Sequence, residues 1–212
     1  MYSLQYLQMN NSLSPLSIAS VAFLIASAAL ALAQVNPGDF TEEPDKTMAA
    51  SHSSFVKGDT AKASQEIRKA ATYVKNESRE VAASAKEGVE DAASSLDKLG
   101  RDVKNGTVKS ADELKKTFAR VDHALAVGWH KTAEEAKNSG KDADAALRKA
   151  GAALDGAAKW SGTKLKQGAQ ASLQALQKAG KKTGEAVKVG AKEVEGWFNQ
   201  IGNGIKDVGR KL

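Results

Sequence analysis

From Leu99 to Val208 the chain divides into ten consecutive units of eleven residues. The last five are LDGAAKWSGTK, LKQGAQASLQA, LQKAGKKTGEA, VKVGAKEVEGW and FNQIGNGIKDV, which begin at Leu154, Leu165, Leu176, Val187 and Phe198. Over all ten units the fifth position is Val103, Leu114, Leu125, Ala136, Leu147, Ala158, Ala169, Gly180, Ala191 and Gly202. Eleven residues make three turns at about 3.67 residues per turn, so the first, fifth and eighth positions share one helical face. No proline follows Pro44, and Val, Ile and Thr never alternate with period two. The fold class this predicts is all-α: three or four long amphipathic helices, in an antiparallel bundle or extended.

The segment before the repeat carries an apolar stripe at the ordinary helical period of about 3.6 residues. Ala63, Ala71, Val74, Val81, Ala85, Val89, Ala92, Leu96, Leu99 and Val103 fall within about 40° of Ile67 at 100° per residue. The spacing predicts a first long amphipathic helix over 59–104, followed by a helical repeat region over 105–212. Asn105-Gly106 offers a break, Ser110 and Glu113 fit a capping box, and residues 138–142 offer a second break. Residues 34–58 mix Pro, Gly, Ser and acids without periodicity and are expected to form a flexible lead-in. Leu16 to Ala33 carries no charge, and Ala31-Leu32-Ala33 has the small-x-small form of a signal peptidase site. Residues 1–33 are therefore expected to be a signal peptide of an exported protein (periplasmic, cell-envelope or secreted), although 1–33 contain no Lys or Arg. An uncleaved N-terminal anchor is the alternative.

Charge and glycine content bear on what the last third does. Residues 141–212 hold fourteen bases against seven acids, which accounts for more than the whole net charge of +6. That fits an anionic partner there, whether lipid, nucleic acid or a cell-wall polymer, and equally the plain solvation of a helical surface. The same residues hold eleven glycines, each costing a helix about 0.8–1 kcal/mol relative to alanine. Opposing them is a stripe of Val187, Val194, Trp197, Phe198, Ile201, Ile205, Val208 and Leu212 within a sector of about 100°. Burying such a side chain is worth roughly 1.5–3 kcal/mol, but only where something covers the face. Conditional helicity in the C-terminal third is the expectation. The predicted partner face is Val187, Val194, Trp197, Phe198, Ile201, Ile205 and Val208, with Lys181, Lys182, Lys188 and Lys192 toward anionic groups.

The stretches GKKTGEAVKVGAKEVEG (180–196) and TKLKQGAQAS (163–172) resemble the lysine- and alanine-rich eleven-residue repeats of group 3 late embryogenesis abundant proteins. They are also similar to the lipid-binding repeats of synucleins, perilipins and exchangeable apolipoproteins. The resemblance covers about half of the chain and is compositional. It implies partly disordered segments that become helical on drying or on a lipid surface. Trp197, Phe198 and the signal-like N-terminus depart from the late-embryogenesis pattern and tilt the resemblance toward lipid.

Residues suited to catalysis are sparse. The absence of cysteine excludes thiol chemistry and disulfides. His123 and His130 stand seven apart with Glu134 beyond them, but lack a close i, i+4 pair of strong metal ligands. No GxSxG, phosphate-binding loop or HExxH motif occurs, and the acids are spread among lysines. No enzyme, cofactor, metal or small-molecule substrate is expected. Nucleic acid is not expected either, because no basic stripe is interleaved with aromatics. The expected function is binding of lipid or another anionic surface through amphipathic helices. The alternative is a structural or stress-protective protein whose helices self-pack, self-associate or fold on dehydration. Trp129, Trp160 and Trp197 suit either an interface or a small-residue core.

Overall fold

The computed structural model describes residues 42–181 and 191–212. Among them are seven helices and no strand: α1 (Asp45–Val56), α2 (Thr60–Glu77), α3 (Ala83–Lys104), α4 (Ala111–Asn138), α5 (Asp144–Ser161), α6 (Gln167–Lys181) and α7 (Ala191–Gly209). The chain is all-α. Residues 1–33 of the expected leader lie outside the described residues, and no described helix is long and apolar enough to cross a membrane.

The helices α2 to α7 are amphipathic and their apolar faces meet in one core. Phe118, Ile67, Leu96, Leu114, Leu147, Leu154 and Ile201 are among its largest fully buried side chains. Short connections pair α2 with α3, α3 with α4 and α4 with α5, so successive helices run back along one another. The 28-residue α4, about 42 Å long, is the spine: α1, α3, α5 and α7 all lean on it. α7 lies across α4 and α5, and α6 covers the α5–α7 side.

The eleven-residue period survives as core register. Val103, Leu114, Leu125, Leu147, Ala158 and Ala169 of the fifth position are buried. The repeat does not make one straight rod, because the chain breaks between α3 and α4, between α4 and α5, and between α5 and α6. The first two breaks fall where Asn105-Gly106 and residues 138–142 suggest. Gly106 (φ 69°) and Gly140 (φ 68°) adopt the left-handed conformation that ends a helix cheaply only for glycine. At α4, Glu113 reaches back to the backbone N–H of Lys109 and to the Ser110 hydroxyl, both 3.3 Å away. The expected Ser110 side-chain cap is not formed.

Three expectations are corrected. The stretch 59–104 is not one helix but two, α2 and α3. The Ser78 hydroxyl bonds back to the Lys75 carbonyl (2.8 Å), and the Ala82 N–H donates to Thr132 Oγ1 on α4 (2.8 Å), which holds the chain in a turn. Gly128 on α4 makes room for this turn, since a Cβ there would stand 3.1 Å from Val81. The lead-in 34–58 contains α1, whose Met48 is fully buried and whose inward face is otherwise Ala49, Thr47, Ser51, His52 and Ser54. A face so polar carries no hydrophobic period. The helix count accordingly rises above three or four.

Candidate functional site

The predicted partner face is α7, and the structure turns most of it inward. Ile201 (0% exposed), Ile205 (6%) and Val208 (0%) are core residues. Val194, Trp197 and Phe198, nearer the start of the helix, are half-buried against the same core. Val187, Lys182 and Lys188 lie outside the described residues, Lys181 ends the backbone of α6, and Lys192 is exposed on α7. The apolar stripe thus covers α4, α5 and α6.

Glycines set the fit of this interface. A Cβ on Gly204 of α7 would stand 2.8 Å from Leu154 and 3.2 Å from Ala169. One on Gly151 of α5 would stand 2.8 Å from Leu173 and 3.8 Å from Ile201. Toward α4 the seats are filled by histidine. A Cβ on Gly202 would lie 2.9 Å from His130 Nε2, and one on Gly209 would lie 2.5 Å from His123 Nε2. Each imidazole Nε2 is hydrogen-bonded to an α7 backbone carbonyl, His130 to Phe198 (3.2 Å) and His123 to Ile205 (3.1 Å). A carbonyl only accepts, so the proton sits on Nε2 in both rings.

The register is heptad and antiparallel. His123 and His130 stand seven apart, as do Gly209 and Gly202, and as do Ile205 and Phe198. Arg120 donates to the Leu212 carbonyl (3.2 Å) beyond one end. Lys137 pairs with Glu195 at the other and lies 5.1 Å above the Phe198 ring. His130 stacks on that ring at 4.2 Å. Burial lowers the His130 pKa, against which the Phe198 carbonyl and Glu134 act upward, and Lys206 adds to the lowering. Both histidines are therefore spent on helix packing, and the described residues contain no group of three or more acids or histidines placed to hold a metal.

A second polar feature lies where α1, α4 and α5 meet. Asp122 of α4 is fully buried, and no N–H or hydroxyl of another residue reaches either carboxylate oxygen. It shares a hydrogen bond with Asp45, the first residue of α1, which also accepts from Trp160 Nε1 at 2.9 Å. Burial pushes the Asp122 carboxyl well up, and the Asp45 charge beside it pushes the same way. Asp45 is raised by burial but held back by Asp122, Trp160 and Lys159. The shared proton therefore belongs to Asp122, with Asp45 as acceptor. Gly156 of α5 makes the pair possible, because a Cβ there would lie 2.5 Å from Asp122 Oδ2 and 2.7 Å from Asp45 Oδ2. The sequence shows Asp122 only as one more acid among lysines.

The tryptophans divide between these sites. Trp160 packs edge-on to Phe118 at 5.0 Å. Trp129 donates to Glu77 (2.8 Å), while Lys149 lies 3.8 Å over its ring and pairs with Glu77 and Glu80. Both belong to the core, and Trp197 remains at its rim. No family model, no curated protein and no solved structure matches the chain.

Proposed function

We propose that the protein is a non-enzymatic, exported structural or stress-protective protein that acts as a preformed helical bundle. The observation that carries this reading is the burial of Ile201, Ile205 and Val208 against α4, α5 and α6. A stripe that already has a cover within the chain has no need of lipid or drying to become helical. Export is supported by the apolar run Leu16–Ala33 and the small residues that end it.

A second reading keeps the anionic lipid or cell-envelope surface as partner and makes α7 the element that meets it. It is favoured by the half-buried cluster Val194, Trp197 and Phe198 with Lys192 exposed beside it. In that reading α7 must leave its seat on the histidines before Ile201 and Ile205 can insert. Far-UV circular dichroism of the dilute protein, with and without anionic vesicles, separates the two. Full helicity in buffer, unchanged by vesicles, supports the preformed bundle. Helicity that is weak in buffer and rises with vesicles supports the surface-binding helix.

A further inference from the structure

The basic excess of the sequence lies in residues 141–212, yet a cluster of unneutralised cations stands on the other side of the bundle. A shallow groove of about 870 Å³ runs along α2 beside α3. Arg68, Lys69, Lys75, Arg79 and Lys104 line it, and Asp97 is the one acid among its lining residues. All five cations are exposed, and none makes an ion pair among the described residues. Other cations, such as Lys62, Arg101, Lys116 and Lys164, are also without an ion pair among the described residues; what sets the groove apart is that five cations share it with one acid. Residues 59–140 nearly balance in charge, so counting along the sequence hides this local excess.

The groove is built on a close helix crossing. Ser64 Oγ donates to the Gly100 carbonyl at 2.7 Å, which fixes α2 on α3. The Arg68 stem lies over Gly100, where a Cβ would stand 2.8 Å from its Cγ. Arg68 therefore leaves the seam in a set direction. Lys75 follows two turns later on the same face of α2, about 10 Å away, and Arg79 continues the row. Exposed Gln65, Thr72 and Asn76 interleave with these charges and offer hydrogen bonds.

That arrangement selects a chemistry. The lining runs from Ala61 to Asn76 of α2, about 22 Å of helix, so cations spread along it match a chain that carries many charges better than one small anion. Ala61 and Ala71 are the only apolar side chains in the lining, so acyl chains have nothing to enter. The nearest aromatic ring, Tyr73, is outside the lining and already takes the Lys69 ammonium at 5.9 Å, so the groove itself offers bases no stacking platform. What remains is a polymer whose anionic groups are bare. We propose that the α2–α3 groove binds a linear polyphosphate chain through Arg68, Lys69, Lys75, Arg79 and Lys104. The site is independent of α7 and goes beyond the structural reading above.

The test is fluorescence anisotropy of labelled inorganic polyphosphate titrated with the full chain across a range of salt. Five phosphate contacts predict a slope of log affinity against log salt near about −3.5. The triple variant Arg68→Gln, Lys75→Gln, Arg79→Gln should bind about tenfold or more weakly at 0.1 M salt, with the slope reduced by about 2. Because these side chains are exposed, its circular dichroism and melting should match the parent. The triple variant Lys164→Gln, Lys178→Gln, Lys206→Gln removes the same charge at exposed positions elsewhere and should bind as the parent does. Equal losses in both triples would reduce the binding to net charge and overturn the proposal. It is also overturned if the parent fails to bind polyphosphate. Groove-dependent binding that is tighter for single-stranded DNA or for phosphatidylglycerol vesicles would replace the polyphosphate chain with nucleic acid or lipid.

Discussion

At the scale of single residues, the glycines of α7 are not equivalent. Nothing lies within 4 Å of a Cβ placed on Gly196, whereas one on Gly202 would press on His130. Gly196→Ala should stabilise the protein by about 0.5–1 kcal/mol through helix propensity alone. Gly202→Ala should destabilise it by roughly 1–3 kcal/mol, since the imidazole must give up its place under α7. Urea denaturation of the two variants measures both, and equal effects would remove the case for a seated histidine. Titration adds a sign in each direction. Burial lowers the His130 pKa, so its neutral form is the folded one. Its contribution is present above the ordinary histidine value of 6.5 and is lost as pH falls through the lowered value. The Asp122 carboxyl is raised, so its contribution is full below the ordinary 3.8 and is lost as pH rises through the raised value. Asp122→Asn, which keeps a donor toward Asp45, should therefore melt above the parent at neutral pH and near it in acid. Melting curves across pH check this. A variant that melts lower at every pH would mean that Asp122 is not the protonated partner.

At the scale of elements, α7 is a structural member of the bundle. Ile201→Ala should cost about 2–5 kcal/mol in urea denaturation, the range for truncating a buried aliphatic side chain. A cost below about 0.5 kcal/mol, typical of surface positions, would place its face outside the folded core. How much of each helix was legible in the sequence varies for physical reasons. The faces of α2 and α3 follow from the stripe of about 3.6-residue period and those of α4 through α7 from the eleven-residue period, because burial repeats at the helical spacing wherever the chain is helical. The turn between α2 and α3 was not legible. Val81 and Ala85 stay on the apolar stripe across it, while the groups that hold it, Thr132 and Gly128, lie some fifty residues away on α4. α1 was missed because its contacts are polar: Asp45 is held by Asp122 and Trp160, and His52 leans on the Trp160 ring at 6.0 Å. For the site, the sequence marks the apolar face of α7, and the structure covers that face from within the chain, with α4, α5 and α6. The seven-residue spacing of His123 and His130, matched by that of Gly202 and Gly209, was the available signal.

At the scale of the whole molecule, one period serves several helices that fold back on one another. A chain whose fifth positions all point to one side can close as a bundle once glycine turns reverse it, as Gly106 and Gly140 do. The heptad contacts from Arg120 to Lys137 then set α7 in antiparallel register on the spine. The central claim is that α7 completes the core without a lipid or a dried state. Hydrogen exchange of the α7 amides in dilute, lipid-free buffer tests it most directly. The account predicts that the amides around Ile201 and Ile205 are protected to the same degree as those around Leu125 in α4 and exchange in the same cooperative opening. Rapid exchange along α7 while α4 stays protected would contradict it.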